Sequence, residues 1–353
     1  MRKISFPSAA GQLTVSTNRI RITIRSSMKS QGSLGLHSLP QLQRALLAWY
    51  DQNRRDLPWR KSRDPYRIWV SEIMLQQTRV AAVLPRYEKF LRRFPTVQKL
   101  ASARVTSVLA EWSGLGYYRR ARNLHAAAKE IVRERAGIFP QSSETWRKLP
   151  GIGRYTAAAI ASIAFGESVA VLDGNVDRVL CRLLGNNSVR ESWNTAQQML
   201  DRKRPGDFNQ ANMELGAMVC IPGKPLCSQC PIVKFCRTRG RGESRTSKPK
   251  KHKVSSSFAL ATRGDSVFLV QRHGDESLMA GMWELPKIES PVRSDEVLFS
   301  VRHSITVTDH VVSVIAQSNP PLAKGTWVKY ARVNKLPLTG LAKKILRKAN
   351  IIE

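Results

Sequence analysis

At 353 residues the chain is too long for one typical domain, and with 42% hydrophobic residues it can bury real cores. Lys and Arg outnumber Asp and Glu 58 to 26, a formal net charge of +32, so the natural partner is a polyanion, nucleic acid first. No run approaches the roughly 18 apolar residues of a membrane span. No membrane partner is therefore expected, and a soluble intracellular protein is.

Residues 1–40 are rich in Ser and Arg and carry Arg2, Lys3, Arg19, Arg21, Arg25 and Lys29 with no acid. The segment reads as an organelle transit peptide, a disordered basic arm, or sequence upstream of a start at Met28. A disordered basic extension, outside the fold, is expected. From Leu42 to about Val219 the apolar period is helical. It predicts helices over Leu42–Asp51, Ile68–Leu84, Arg86–Phe94, Thr106–Trp112, Ala121–Arg133, Ser143–Leu149, Tyr155–Phe165, Val176–Leu184, Asn194–Asp201 and Phe208–Met218. Short connections with Pro or Gly suit an all-helical domain over residues 41–239. Residues 240–253 read as a basic linker. Beyond it the period changes to alternation, predicting strands at Ser255–Thr262, Val267–Gln271, His310–Ile315 and Thr326–Ala331, a loop at Ser318–Leu322 and a closing helix at Leu341–Ala349. Residues 254–353 are thus expected to form a small α+β domain.

Several stretches could carry chemistry. In Leu149-Pro150-Gly151-Ile152-Gly153-Arg154-Tyr155, two glycines make a tight turn that opens a helix. Its free N–H groups and positive dipole end suit a phosphate, the logic of a helix-hairpin-helix; an ordinary helix–helix turn is the alternative. Cys220-x6-Cys227-x2-Cys230-x5-Cys236 places four thiols in one loop, which suits a [4Fe–4S] cluster or a tetrahedral zinc. Cys181, amid apolar residues, is expected to be a buried packer.

Glu72 sits in an apolar helix and Asp173 just ahead of another. Glu72 could be a dipole partner and Asp173 an N-cap, but cleaving a glycosidic bond needs such an acid and such an anion. Trp59-Arg60 and Gly114-Leu115-Gly116-Tyr117-Tyr118 combine flat rings with cations. They could wedge into a base stack, and Trp59 and Tyr118 could equally pack in the core.

Taken together, the hairpin with its downstream Asp173 and the cysteine loop resemble the endonuclease III-like DNA glycosylase superfamily. Leu57-Pro58-Trp59-Arg60, Ser71 to Thr78 and Gly114 to Tyr118 resemble, within it, the adenine DNA glycosylases of the MutY family. The match runs from about Leu42 to Cys236, and Gly281 to Pro286 resembles the family's Nudix-like 8-oxoguanine-recognition domain. The resemblance implies an all-α glycosylase domain followed by that small domain. It also implies a double-stranded DNA partner holding adenine opposite 8-oxoguanine or guanine, with the adenine flipped into a pocket.

In that scheme Glu72 would protonate N7 of adenine and later activate water, Asp173 would stabilise the cation at C1′, and Tyr155 and Asn175 would assist. Gln76 and Tyr117 match positions that fill or wedge the stack. Trp59, Arg60, Gln77, Gly151 and Gly153 join them as DNA- or substrate-binding candidates. Cys220, Cys227, Cys230 and Cys236 match the [4Fe–4S] ligands.

Members that also cut the backbone carry a Lys where this chain has Tyr155, so a monofunctional enzyme is expected. The competing readings are a bifunctional endonuclease III-like enzyme for oxidised pyrimidines and a non-catalytic iron–sulfur redox sensor. In the C-terminal domain nothing after Gly281 supplies a Nudix Arg-Glu-x-x-Glu-Glu run, so nucleotide hydrolysis is not expected there. The family's Phe-Ser-His is best matched by Ile305-Thr306-Val307, with His303, Ser304 and Thr306 as nearby polar candidates. A DNA-associated monomer is expected, in the cytoplasm or nucleoid if the source is bacterial.

Overall fold

A computed structural model describes residues 38–185, 189–241, 252–273, 276, 279–290, 292–305, 308–320 and 324–352. Nearly all of the predicted extension, linker residues 242–251, and Thr306 and Val307 lie outside the described residues.

Helices fill the chain as far as Met218: α1 Leu39–Asn53, α2 Pro65–Leu75, α3 Val80–Arg93, α4 Val97–Ala101, α5 Val105–Trp112, α6 Arg119–Arg135, α7 Ser143–Trp146, α8 Arg154–Phe165, α9 Gly174–Leu184, α10 Val189–Met199 and α11 Pro205–Met218. They enclose two cores. One gathers α2 to α7 around Trp69, Phe90, Trp112 and Trp146. The other joins α1 to α9, α10 and α11 around Leu46, Tyr50, Val179, Phe208 and Leu215.

Helix α8 belongs to both, because its run of small residues is buried all round: Ala157, Ile160 and Ala161 face the first core, Ala158 and Ala159 the second. Small side chains let neighbouring backbones come close. At Gly216 of α11 an added Cβ would stand 2.6 Å from Asn175 Cβ, so α11 presses directly on the start of α9.

The hairpin lies between α7 and α8. Gly151 takes φ +74°, and Gly153 caps α8 in extended conformation without any side-chain bond to the free N–H groups. Both glycines are exposed.

After residue 252 the sheet domain begins: β1 His252–Arg263, β2 Ser266–Gln271, β3 Trp283–Glu284, β4 Lys287–Ile288, β5 Val297–Ile305, β6 Thr308–Gln317 and β7 Thr326–Lys329, with α12 Tyr330–Val333 and α13 Gly340–Lys348. The sheet is mixed. Its order is β3-β2-β1-β6-β5, β1 and β6 run parallel from His252 opposite Thr308 to Ala261 opposite Gln317, and β4 and β7 add to β1 and β2. Leu341, Ile345 and Leu346 of α13 close its core over Val312 and Val314.

The two domains touch through side chains. Met282 is fully buried in the first helical core, a contribution of about 1.5–3 kcal/mol for a side chain of that size. The carbonyl of Leu338 accepts from Ser113 Oγ at 3.1 Å and Tyr118 Oη at 3.2 Å, and Arg122 donates to the carbonyl of Ala280.

Several boundaries differ from the sequence pattern. The predicted helix Ile68–Leu84 is two helices, broken after Leu75 where Gln77 takes φ +53°. Pro85, which marked a boundary in sequence, lies inside α3 instead. Helix α4 and strands β3, β4 and β5 were not predicted, and the predicted strand at Thr326–Ala331 ends at Lys329 and turns into α12. Cys181 is half-buried rather than core, with its thiol directed at Asp177 Oδ1.

Gly151 offers a test of the hairpin. A Cβ there would meet Asn123 Cβ at 2.5 Å in addition to the unfavourable φ. Gly151→Ala is expected to lower the unfolding free energy by about 1–3 kcal/mol in chemical denaturation. Asn123→Ala should recover only part of that loss, since it relieves the contact and not the dihedral.

Candidate active site

A cavity of about 1480 Å³ opens between the two halves of the helical domain. Its walls include Glu72 from α2, Tyr155 from α8, Asp173 and Asn175 from the start of α9, and Met213 and Glu214 from α11. Gln77, Tyr117, His303 and Ser304 also line it.

Glu72 is 7% exposed. Tyr155 Oη donates to its Oε2 at 3.0 Å and lies 3.1 Å from Met213 Sδ. Burial pushes the Glu72 carboxyl up to about 7; the Tyr155 bond and Arg60 pull it down, and Asp173 pushes it further up. The side chain can therefore hold a proton near neutral pH and give it away, which is what a general acid requires.

Asp173 is both the N-cap of α9 and a cavity residue, so the two sequence readings are compatible. Its Oδ1 accepts from the backbone N–H of Asn175 at 3.0 Å and of Val176 at 2.8 Å, and its Oδ2 from Asn175 Nδ2 at 2.8 Å. Arg178 fixes that amide by donating to Asn175 Oδ1 at 2.8 Å, to the Gly216 carbonyl at 2.7 Å and to the Cys220 carbonyl at 2.8 Å. One turn later Arg182 grips the same loop, reaching the carbonyls of Ile221 and Gly223 and Cys220 Sγ at 3.5 Å.

The four clustered cysteines are half-buried on this loop. The Arg239 N–H points at Cys236 Sγ at 3.4 Å. Burial, together with the three other thiols, drives Cys230 up to about 11, so the sulfurs sense one another. Four soft donors with N–H groups aimed at two of them fit a thiolate-bound metal centre. Among the described residues, however, no three His, Cys, Asp or Glu side chains converge as a finished metal site.

Two further candidates line the cavity while holding partners of their own. Trp59 is buried, edge-on to Tyr87 at 5.3 Å, and packs in the core. Arg60 spends its guanidinium on Glu214, at 3.0 and 2.9 Å, and stacks over Tyr50, so it does not present a free cation to a phosphate. Gln76 donates to Thr156 Oγ1 at 3.1 Å, whereas Gln77 is exposed. Tyr117, at φ +45°, is 47% exposed, and Tyr118 is buried.

Glu214 escaped the sequence reading. It is 1% exposed and accepts from the backbone N–H of Arg55 at 2.9 Å, Arg55 Nε at 2.8 Å and Arg55 Nη2 at 2.6 Å as well as from Arg60. Burial raises its pKa, but the two arginines win and hold it down at about 2. A lone acid in the otherwise apolar run Met213-Glu214-Leu215-Gly216-Ala217-Met218 was the available signal.

The raised pKa of Glu72 has a consequence for stability. Between about 4.5 and about 7 the folded protein keeps a proton that the unfolded chain releases, so this carboxyl makes stability fall as pH rises through that window. Glu72→Gln is expected to be more stable than the parent at pH 8, with the gain shrinking by pH 4.5, in denaturation curves at both pH values.

A family model described as HhH-GPD superfamily base excision DNA repair protein matches residues 70–205. The adenine DNA glycosylase of Homo sapiens is 52% identical over 215 residues, covering 56% of this chain and 39% of that protein. The chain thus spans well under two thirds of the human relative's length. The adenine DNA glycosylase of Buchnera aphidicola subsp. Baizongia pistaciae is 38% identical over 251 residues, covering 68% of this chain and 70% of that protein. Among solved structures, a thermostable thymine-DNA glycosylase superposes with a TM-score of 0.55 at 29% identity, over 58% of this chain and 98% of that one. The helical domain therefore has the helix-hairpin-helix glycosylase fold, followed by an α/β domain with a mixed sheet. No described helix is long and apolar enough to cross a membrane.

Proposed function

Because the chain belongs to the adenine DNA glycosylase family, we propose that it hydrolyses the N-glycosidic bond of adenine mispaired with 8-oxoguanine or guanine in double-stranded DNA. One observation carries the reading. Glu72, raised to about 7 under the Tyr155 hydroxyl, shares a cavity with Asp173, whose carboxylate is held by three N–H bonds from α9.

The flipped adenine enters the cavity. Glu72 gives its proton to N7, and the C1′–N9 bond breaks with its electron pair going to the base. Asp173 stabilises the positive charge left at C1′. Glu72, now an anion, takes a proton from water as the oxygen bonds to C1′, which restores the acid. Tyr155 steadies Glu72, and Asn175 fixes the Asp173 carboxylate. Tyr155 also stands where a backbone-cutting relative would carry an amine, and no lysine is among the residues lining the cavity, so the enzyme is monofunctional.

The backbone amides at the exposed Gly151 and Gly153 hold one phosphate, and Gln77 and Tyr117 enter the gap left by the base. The α/β domain is the Nudix-like lesion reader, with His303 and Ser304 at the base opposite adenine. Cys220, Cys227, Cys230 and Cys236 would hold a [4Fe–4S] cluster, whose metal–sulfur bonds would cross-link the loop that Arg178 and Arg182 tie to α9. Residues 41–239 and 254–353 are its two working domains, and one monomer serves one lesion.

Single-turnover base release on duplexes with adenine opposite 8-oxoguanine or guanine, each sampled before and after alkali, tests the reading. Breaks are expected only after alkali, and faster opposite 8-oxoguanine. Glu72→Gln should slow release by about 10²- to 10⁴-fold with duplex binding kept. Unchanged release in that variant, or breaks before alkali, would overturn the assignment.

The phosphate grip has its own test. An added Cβ at Gly153 meets nothing within 4 Å, so Gly153→Asp should fold normally, its carboxylate even favoured at the start of α8. Duplex affinity should nonetheless fall by about 10-fold or more, with unchanged thermal melting, because like charges meet.

A further inference from the structure

We infer that Arg120 is a positioning residue that joins the two DNA-facing turns, at Gln76 to Thr78 and Gly114 to Tyr118, into one wedge. The inference rests on the proposed function.

The geometry starts at the end of α2. Because the chain turns out at Gln77, the carbonyls of Ile73 and Met74 lose the helical N–H groups of Gln77 and Thr78. Arg120 Nη1 replaces both donors, at 2.7 Å to Ile73 and 2.9 Å to Met74. Its Nη2 reaches the other turn, donating to the carbonyls of Leu115 at 3.0 Å and Gly116 at 3.3 Å, and to Thr78 Oγ1 at 3.0 Å. The flat face of the guanidinium lies 5.4 Å from the Tyr117 ring centre and 5.5 Å from that of Trp112.

Each turn so held displays one exposed residue in the left-handed region, Gln77 at φ +53° and Tyr117 at φ +45°. Non-glycine residues adopt that region at a cost and persist there only when their surroundings over-determine them. One guanidinium supplies the bonds on both sides. Among the described residues no carboxylate bonds to it; carbonyl dipoles, one hydroxyl and two ring faces receive the charge. Burial accordingly lowers its pKa to about 10.

The fork is essential to this role. A lysine keeps the positive charge but donates from a single point and cannot span both turns. Arg120→Lys therefore separates positioning from electrostatic attraction to DNA.

The test compares the parent protein with Arg120→Lys in single-turnover release of adenine from two substrates. One is a duplex with adenine opposite 8-oxoguanine, where the base must be extracted. In the other, adenine faces an abasic site, so no base pair has to be opened before it leaves the helix. The variant is expected to be about 10- to 100-fold slower on the first and within about 2-fold of the parent on the second. Equal losses on both would mean a general structural defect, and no loss on either would mean an idle side chain; each overturns the inference.

Fluorescence of 2-aminopurine placed beside the mispair reads unstacking without any chemistry. It decides the matter even if the parent releases no adenine, an outcome that would sink the proposed function instead. Unstacking seen with the parent and lost in Arg120→Lys supports the wedge, and equal signals overturn it. Should Arg120→Lys fold poorly, Thr78→Val removes one of the same bonds and should give a smaller loss confined to the extracted substrate.

Discussion

A carboxyl placed out of water with no cation bonded to it is the constraint on which the site depends. Glu72 is kept in that condition by packing: α2 lies in the first core, α8 closes over it, and among the described residues its single polar partner is a phenol. Two buried glutamates on the same cavity end in opposite states. Glu214 accepts from two arginines and stays ionised well below neutrality, whereas Glu72 has one hydroxyl and titrates near it. Burial favours the neutral acid in both, and the number of charge-assisted bonds decides which way each goes.

Chain order explains how few residues are needed to build the rest. Helix α8 begins with an exposed glycine turn, places the half-buried Tyr155 second, and then runs through both cores as a rod of alanines. The stretch proposed to hold the DNA backbone and the residue bonded to the acid are consecutive. Helix α9 repeats the arrangement: its cap is Asp173, its first turn carries Asn175, and its next turns send Arg178 and Arg182 into the cysteine loop.

Local signals disclosed much of this. The hairpin, Glu72 and Asp173 stood out as candidates because an acid in an apolar helix or a Gly-x-Gly turn depends on neighbours in sequence, whereas the role of Tyr155 came from the family resemblance. What stayed hidden depended on partners far along the chain. The end of α2 follows from Arg120, 47 residues beyond Ile73, while Pro85 sat tolerably inside α3. The bonds that Arg60 makes to Glu214, 154 residues away, had no local signal either. Strand β5 was masked by Leu298 facing out and His303 turning inward, which blurs an alternation that the burial pattern does follow.

Met282 gives the two domains a shared interior. The α/β domain does not simply rest against the helices; it lends them a core side chain, and Leu338 is fastened to Ser113 and Tyr118 beside the exposed Tyr117. A pin of that kind holds the sheet edge that carries His303 and Ser304 in the wall of the same cavity as Glu72 and Asp173. Under the proposed function the molecule is a gauge of set width, on which an opened base pair is compared with a distance already built into the protein.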